Sequence, residues 1–124
     1  IVECSKAALE NHIPVGLGND VGCPWITQYD FYRELVYFHK YVGVTNGFAL
    51  YTATLQNAIL AGISDVTGSI DAGKQADMIV VKENPLDDLN ALKNIDIVFT
   101  KGKMVHPKIK RDKEIEKRLD AFCK

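Results

Sequence analysis

The segment of residues 13–25 reads IPVGLGNDVGCPW. Its first part, residues 13–18, is short and apolar and predicts one buried strand. Its second part, residues 19–25, is rich in Gly, Pro and Asn and predicts a loop. A predicted helix over residues 1–12 precedes the strand and is ended by Pro14, because proline cannot continue a helix. The order helix, strand, polar loop is typical of a parallel α/β unit, in which ligands gather at the carboxyl ends of strands.

An aromatic segment follows this loop. Seven of the eleven aromatic residues lie between Trp25 and Tyr41. The apolar positions within Gln28–Val42 recur at helical spacing, so the segment predicts a helix. Because aromatic rings bury large areas, this helix is expected in the core or in an interface. The alternative is an aromatic substrate cage, limited to Trp25 and Tyr29 near the loop.

Two short helices are predicted between Gly43 and Gly62, two glycines that each end a helix. Thr45 or Asn46 is a candidate cap for the first of them, and Thr54 is the candidate cap for the second. Beyond Gly62 glycines and prolines separate short β-rich runs, and a last amphipathic helix is expected near the end. The predicted elements of this region are strands at 78–81 and 97–100, a hairpin turn at 101–103 leading into 104–106, and a helix over 110–124. We therefore divide the chain into residues 1–64, 65–107 and 108–124.

Composition excludes several classes of protein. The chain has 124 residues, of which 47% are hydrophobic, so it can bury a core. Its formal net charge of -1 indicates neither a nucleic-acid-binding nor a membrane-binding surface. No apolar run approaches the roughly 18 residues of a membrane span, and no signal peptide is recognisable. Three scattered cysteines (Cys4, Cys23 and Cys123) are typical of reduced thiols and favour a cytoplasmic protein.

Asp20 is the candidate functional residue. It follows directly on the predicted strand, where a loop would expose its carboxylate at a sheet crevice. A carboxylate there can bind a metal as an oxygen ligand or accept a proton from metal-bound water. The alternative is that Asp20 is an ordinary turn residue. Other catalytic motifs, such as G-x-S-x-G, H-E-x-x-H and H-x-H, do not occur in the sequence.

Four runs of sequence carry a resemblance to a known enzyme family: VGLGNDVG at 15–22, YTATLQNA at 51–58, GSIDAGKQADMIVV at 68–81 and NPL at 84–86. Together they resemble the carboxyl-terminal third of amidohydrolase-superfamily enzymes, in the imidazolonepropionase- and prolidase-like branch. The resemblance spans nearly the whole chain. The run at 68–81 is its most specific part, and Asp20 is its functional residue.

This resemblance implies the fold and the chemistry that we expect. The fold would be α/β: the last strand and helices of a (β/α)₈ barrel, residues 1–64, followed by strands of a small β-sandwich, residues 65–107. By motif position Asp20 would bind the catalytic metal, expected to be zinc, and move the proton of the attacking water. The substrate would be a small molecule with a C–N bond, a cyclic amide or a dipeptide-like compound. Gly22, Cys23 and Trp25 would lie near the substrate mouth.

The family's histidine and lysine ligands have no counterparts in this sequence. A whole (β/α)₈ barrel takes about 250 residues, and a catalytic metal usually needs three or more protein ligands. The chain begins with Ile1 rather than Met. We therefore expect a fragment that is inactive alone and that pairs with the rest of its parent or with a second copy. The alternative is a non-catalytic α+β module that serves structure or oligomerisation.

Overall fold

The computed structural model describes residues 1–122, except the side chain of Phe122. Cys123 and Lys124, which belong to the predicted tail helix, lie outside the described residues. No helix in the described part is long and apolar enough to cross a membrane. The elements among residues 1–122 are the helices α1 (Val2–Glu10), α2 (Tyr32–Tyr37), α3 (Asn46–Tyr51), α4 (Asn57–Leu60) and α5 (Lys113–Phe122), and the strands β1 (Met78–Val81), β2 (Ile95–Thr100) and β3 (Lys103–Val105).

The amino-terminal segment differs from the prediction in one element. The predicted helix over residues 1–12 is confirmed as α1. The predicted strand over residues 13–18 is wrong, because these residues pair with no strand among the described residues. Val15 and Leu17 nevertheless pack against the core at the alternating spacing of an extended chain. The segment thus has the side-chain pattern of a strand without a backbone ladder.

The aromatic segment forms α2 and continues through a wider π-helical turn, Phe38–Val42. The helix begins four residues later than Gln28 because Thr27 and Asp30 form a turn: the Thr27 Oγ1 hydroxyl donates to Asp30 Oδ2 at 2.5 Å. Gly43 ends the helix at φ 88°, a left-handed conformation that favours glycine. The predicted end of this helix is therefore confirmed.

Residues 46–60 form one continuous helical run, not two helices. A π-helical turn, Thr52–Gln56, joins α3 to α4 without a break. Thr45 caps the run as predicted, since its hydroxyl accepts a hydrogen bond from the Phe48 N–H at 3.1 Å. The predicted cap at Thr54 is wrong, because that hydroxyl donates to the Leu50 carbonyl oxygen at 2.7 Å, inside the run.

The core lies between α2, α3 and a short 3₁₀ helix, Leu89–Lys93. Its buried members are Leu35, Phe38, Ala49 and Leu89. Burying a side chain the size of Leu35 or Phe38 contributes about 1.5–3 kcal/mol to stability. The aromatic segment is therefore a core helix, which is the first of the two interpretations that its spacing allowed.

The three strands form one antiparallel sheet in the order β1-β2-β3. Met78 pairs with Phe99 and Ile79 with Val98, and the register shifts at a bulge between Val80 and Val81. The turn Lys101–Gly102 joins β2 to β3, with φ of 51° and 76° at its two residues. The described residues thus combine helices with a small antiparallel sheet, which confirms a mixed α and β chain and leaves its barrel portion as a proposal.

A buried charge network ties the carboxyl-terminal helix to α2. Asp30, 5% exposed, lies 3.1 Å from Arg111 Nη1 and 3.6 Å from Arg33 Nε. Arg33 in turn contacts Asp120 of α5 at 2.7 Å. Burial opposes the charged guanidinium of Arg33, but its hydrogen bonds to Asp120 and Tyr37 raise its pKa above the ordinary value. α5 is therefore held to the helical core by paired charges.

Candidate functional site

Asp20 lies at the turn that follows the extended segment of residues 13–18. Its side chain is exposed. Its φ of 49° is in the left-handed region, which most side chains avoid but which Asp and Asn tolerate. The turn therefore presents a carboxylate to solvent at the position where the sequence predicts one.

The segment before Asp20 is attached to the helical run by one side chain, that of Asn57. Its Oδ1 accepts a hydrogen bond from the Leu17 N–H at 3.0 Å, and its Nδ2 donates to the Leu17 carbonyl oxygen at 2.9 Å. Both backbone groups of Leu17 are thereby satisfied without a neighbouring strand.

Cys23 is hydrogen-bonded to the side chain of Asp20. Its thiol donates a hydrogen bond to Asp20 Oδ2 at 3.3 Å. That hydrogen bond, and then the negative charge of Asp20, raise the pKa of Cys23 above the ordinary value of 9.0. In this structure Cys23 is therefore a hydrogen-bond donor to the Asp20 carboxylate.

Gly22 and Trp25, the other two predicted substrate-binding residues, lie in the same exposed loop. Gly22 has φ 110°, a value that suits glycine, and Trp25 has φ 72°. The Trp25 ring is 4.9 Å from the guanidinium carbon of Arg118 in α5. The loop thus places Cys23 beside Asp20, whereas Trp25 contacts the carboxyl-terminal helix.

The predicted aromatic cage of Trp25 and Tyr29 has arginines against both rings. Arg111 lies 5.1 Å from the Tyr29 ring centre, and the Tyr29 hydroxyl accepts a hydrogen bond from the Asp112 N–H at 2.9 Å. Two cavities, of about 660 and 1090 Å³, are lined by the helices, the sheet and the segments around them. Residues 19–25 do not line either cavity, so Asp20 lies on an open surface.

The donors that could hold a metal are few. Among residues 1–122 no group of three or more His, Cys, Asp or Glu side chains is close enough together to hold a metal ion. The carboxylate of Asp20 is a suitable oxygen ligand, with the thiol of Cys23 beside it. Since a catalytic metal usually takes three protein ligands, these residues fit one part of a metal site and do not complete it.

Sequence reasoning missed Asn57 as a residue of this site. An Asn inside a helical run has a low helix propensity, because its amide competes for backbone hydrogen bonds. That was the available signal, although it does not say which backbone group is bound. The partner, Leu17, lies 40 residues away in the sequence.

Comparison with known proteins identifies the relatives of the chain. The model of the amidohydrolase family matches residues 4–105. A candidate prolidase from Bifidobacterium longum is 38% identical, with a TM-score of 0.94 over 97% of this chain and 30% of that one. A Xaa-Pro dipeptidase solved with methionine bound in its active site is 32% identical, with a TM-score of 0.76 over 86% of this chain and 25% of that one.

A third structure shares the fold at lower identity. Ochratoxinase from A. niger is 24% identical, with a TM-score of 0.71 over 85% of this chain and 24% of that one. None of the curated proteins compared matches the chain.

This chain spans about 30% of the Bifidobacterium longum protein and a quarter of the other two. The resemblance that the sequence carries, including its prolidase-like character, is confirmed by the family match and by both relatives above 30% identity. The chain belongs to the amidohydrolase family.

Proposed function

We propose that these residues belong to a metal-dependent hydrolase that cleaves a C–N bond in a small cyclic amide or dipeptide-like substrate, with Asp20 at its reaction centre. The observation that carries the proposal is the exposed Asp20 carboxylate, at a turn whose preceding segment is fixed by Asn57. The family match and the two prolidase-type relatives support the reaction class.

Asp20 has two roles in this proposal. One carboxylate oxygen is an oxygen ligand for the metal, and the carboxylate accepts the proton of the attacking water. A divalent metal, zinc by preference, supplies Lewis-acid polarisation and lowers the pKa of bound water. The remaining ligands would come from outside residues 1–122, because among the described residues no three His, Cys, Asp or Glu side chains lie close enough together to hold a metal.

The loop that follows Asp20 would border the substrate. In this proposal Cys23 orients the Asp20 carboxylate by donating a hydrogen bond from its thiol to Oδ2, at 3.3 Å. Gly22 lies beside open space, since a Cβ there would meet no atom within 4 Å, and it allows the loop its positive φ of 110°. Trp25 offers an exposed aromatic surface to the substrate.

The same proposal includes the division of the chain into segments and the cellular compartment of the protein. Residues 1–64 would end the barrel, residues 65–107 would contribute to a β-sandwich, and residues 108–124 would form the terminal helix. The free thiols of Cys4 and Cys23 support a reducing, cytoplasmic compartment.

The second candidate function is that of a non-catalytic module, and it is supported by the exposed apolar surface of the sheet. Ile79, Met104 and Val105 are about half exposed, so the sheet has apolar surface that another part of the parent chain or a second copy could cover. The two candidates differ in whether Asp20 binds a metal.

Metal analysis of the longer polypeptide that carries these residues tests the proposal. We expect stoichiometric metal and metal-dependent hydrolysis of an Xaa-Pro dipeptide, both lost in Asp20→Ala and retained in the control Asp65→Ala, an exposed aspartate elsewhere. The 124-residue chain alone is expected to hydrolyse nothing. Full metal content in Asp20→Ala would leave the non-catalytic module as the better description.

A further inference from the structure

We propose that Asn57 is a positioning residue for Asp20, and that position 16 is glycine because a larger side chain there would collide with the Asn57 amide. This inference rests on the proposed function, because it assigns a role to a residue that acts through Asp20. Asn57 is not expected to touch the substrate. It acts by fixing the backbone from which Asp20 extends.

The Asn57 amide replaces a strand neighbour. In an antiparallel pair, a hydrogen-bonded residue exchanges both its N–H and its C=O with the residue opposite. Asn57 offers the same two groups from one side chain: Oδ1 accepts from the Leu17 N–H and Nδ2 donates to the Leu17 carbonyl oxygen. Since donor and acceptor are both used, the amide fits Leu17 in one register only.

The amide is itself held in place by the helix that carries it. Nδ2 also lies 3.4 Å from the carbonyl oxygen of Ala53, one turn earlier in the helical run. Ala58, the next residue, is buried, so this part of α4 is packed and not free to swing. The attachment of Leu17 is therefore to a fixed element of the core.

Gly16 makes the close approach of this amide possible. A Cβ at position 16 would lie 2.6 Å from Asn57 Oδ1 and 3.0 Å from the Leu60 Cδ1 atom. Real Cβ atoms do not approach an oxygen at 2.6 Å, so any larger residue would displace the amide. Gly16 is needed here for space, whereas Gly22 and Gly43 are needed for their positive φ.

The attachment lies close to Asp20 along the chain. In the described part of the protein, the hydrogen bonds nearest to Asp20 on its amino-terminal side are the two at Leu17. Three residues span at most about 11 Å of extended chain. A shift at Leu17 is therefore transmitted to the carboxylate, and a misplacement of about 1 Å at a reacting group can cost about 100-fold in rate.

The test compares two asparagines of the same helical run in the longer polypeptide. Asn57→Leu removes the contact with Leu17. The control Asn46→Leu removes an equally long-range contact, the hydrogen bond from Asn46 Nδ2 to the Leu86 carbonyl oxygen at 2.9 Å, which lies away from Asp20. We expect kcat for an Xaa-Pro dipeptide to fall about 10- to 100-fold in Asn57→Leu with KM nearly unchanged, and to stay within about twofold in Asn46→Leu.

Two further measurements separate positioning from general stability. Amide hydrogen exchange at Leu17 should accelerate about tenfold in Asn57→Leu and not in Asn46→Leu. Gly16→Ala should lower kcat in the wild-type background and have little added effect in Asn57→Ala, because the obstructing Oδ1 is then gone. If Asn57→Leu does not fold, Asn57→Asp, which keeps the acceptor for Leu17 N–H and loses the donor, takes its place.

The outcomes distinguish the two proposals. Equal kcat losses in Asn57→Leu and Asn46→Leu, or additive effects of Gly16→Ala and Asn57→Ala, would overturn the positioning role while leaving Asp20 as the reacting group. If Asp20→Asn itself keeps its turnover, the proposed function fails first, whatever Asn57 does.

Discussion

The loop from Asn19 to Asp30 has an aspartate near each end, Asp20 and Asp30, and the two differ in exposure and in their contacts. Asp20 is exposed, strained in φ and hydrogen-bonded by one thiol. Asp30 is buried and contacts two arginines and the Thr27 hydroxyl. The carboxylate is thus open to solvent at one end of the loop and enclosed by ion pairs at the other.

Substituting asparagine for Asp20 and for Asp30 should affect activity in one case and stability in the other, and the largest expected effect is that of Asp20→Asn. In the longer polypeptide, Asp20→Asn should lower kcat about 10²- to 10⁴-fold, since it removes the proton acceptor that we propose. The melting temperature should barely change, because Asn also tolerates the left-handed φ of 49°. Steady-state kinetics and thermal unfolding check the two halves of this prediction.

Asp65→Asn is the matched control for this substitution, since Asp65 is another exposed aspartate. Its kcat should remain within about twofold of wild type. Near-wild-type turnover in Asp20→Asn would instead reduce Asp20 to a turn residue.

The buried end should respond in the opposite way. Asp30→Asn should lower the free energy of unfolding by about 3 kcal/mol, the lower end of the usual cost of breaking a buried ion pair. Arg33 and Arg111 limit the loss because they keep their contacts with Asp120 and Glu116. Urea unfolding measures the change, and kcat per folded molecule should stay near wild type.

An exposed ion pair provides the control for the buried one. Glu3→Gln removes the contact between Glu3 and Lys6, at 3.6 Å on the surface of α1, and should change the free energy of unfolding by less than about 0.5 kcal/mol. A loss of similar size in Glu3→Gln and Asp30→Asn would contradict the structural role of Asp30.

A smaller effect than that of Asp30→Asn is expected between the two ends of the loop, at Trp25. Arg118→Gln removes the cation from the face of the ring and should cost about 0.5–1 kcal/mol. Trp25 is the one tryptophan of these 124 residues, so the difference in fluorescence between this variant and wild type should show a shift of its emission. Glu114→Gln, which removes the exposed partner of Arg118, should leave the emission unchanged. An unchanged spectrum in Arg118→Gln would mean that the loop does not rest on α5.

Whether a feature could be predicted from the sequence depends on how far apart in the sequence the interacting residues lie. The ends of helices at Gly43 and Gly62 and the cap at Thr45 depend on neighbours within a few residues. The strands near residues 78 and 97 could be predicted from their local β-rich composition, although they pair with each other across about 20 residues. At Thr54 the residue type predicts a cap, but a threonine hydroxyl can also donate to a carbonyl oxygen inside a helix, and the residue type alone does not decide between the two.

The interactions that surround the site depend on residues far apart in the sequence. Arg111 reaches Asp30 across 81 positions and Asn57 reaches Leu17 across 40. The sequence shows that Asp30 is charged and that Asn57 is an asparagine within a predicted helix, but it does not show which residue each of them contacts. The position of Asp20 could thus be predicted from the turn pattern, whereas its support could not.

The contact between Asn57 and Leu17 also has a consequence for the time at which the Asp20 turn can form during synthesis. A ribosome adds about 5–20 residues per second. The 40 residues that separate Leu17 from Asn57 therefore take about 2–8 s to make. During this interval the nascent chain already contains Asp20 but not the amide that holds the preceding segment. This part of the protein consequently reaches its final geometry only after the helical run has been translated.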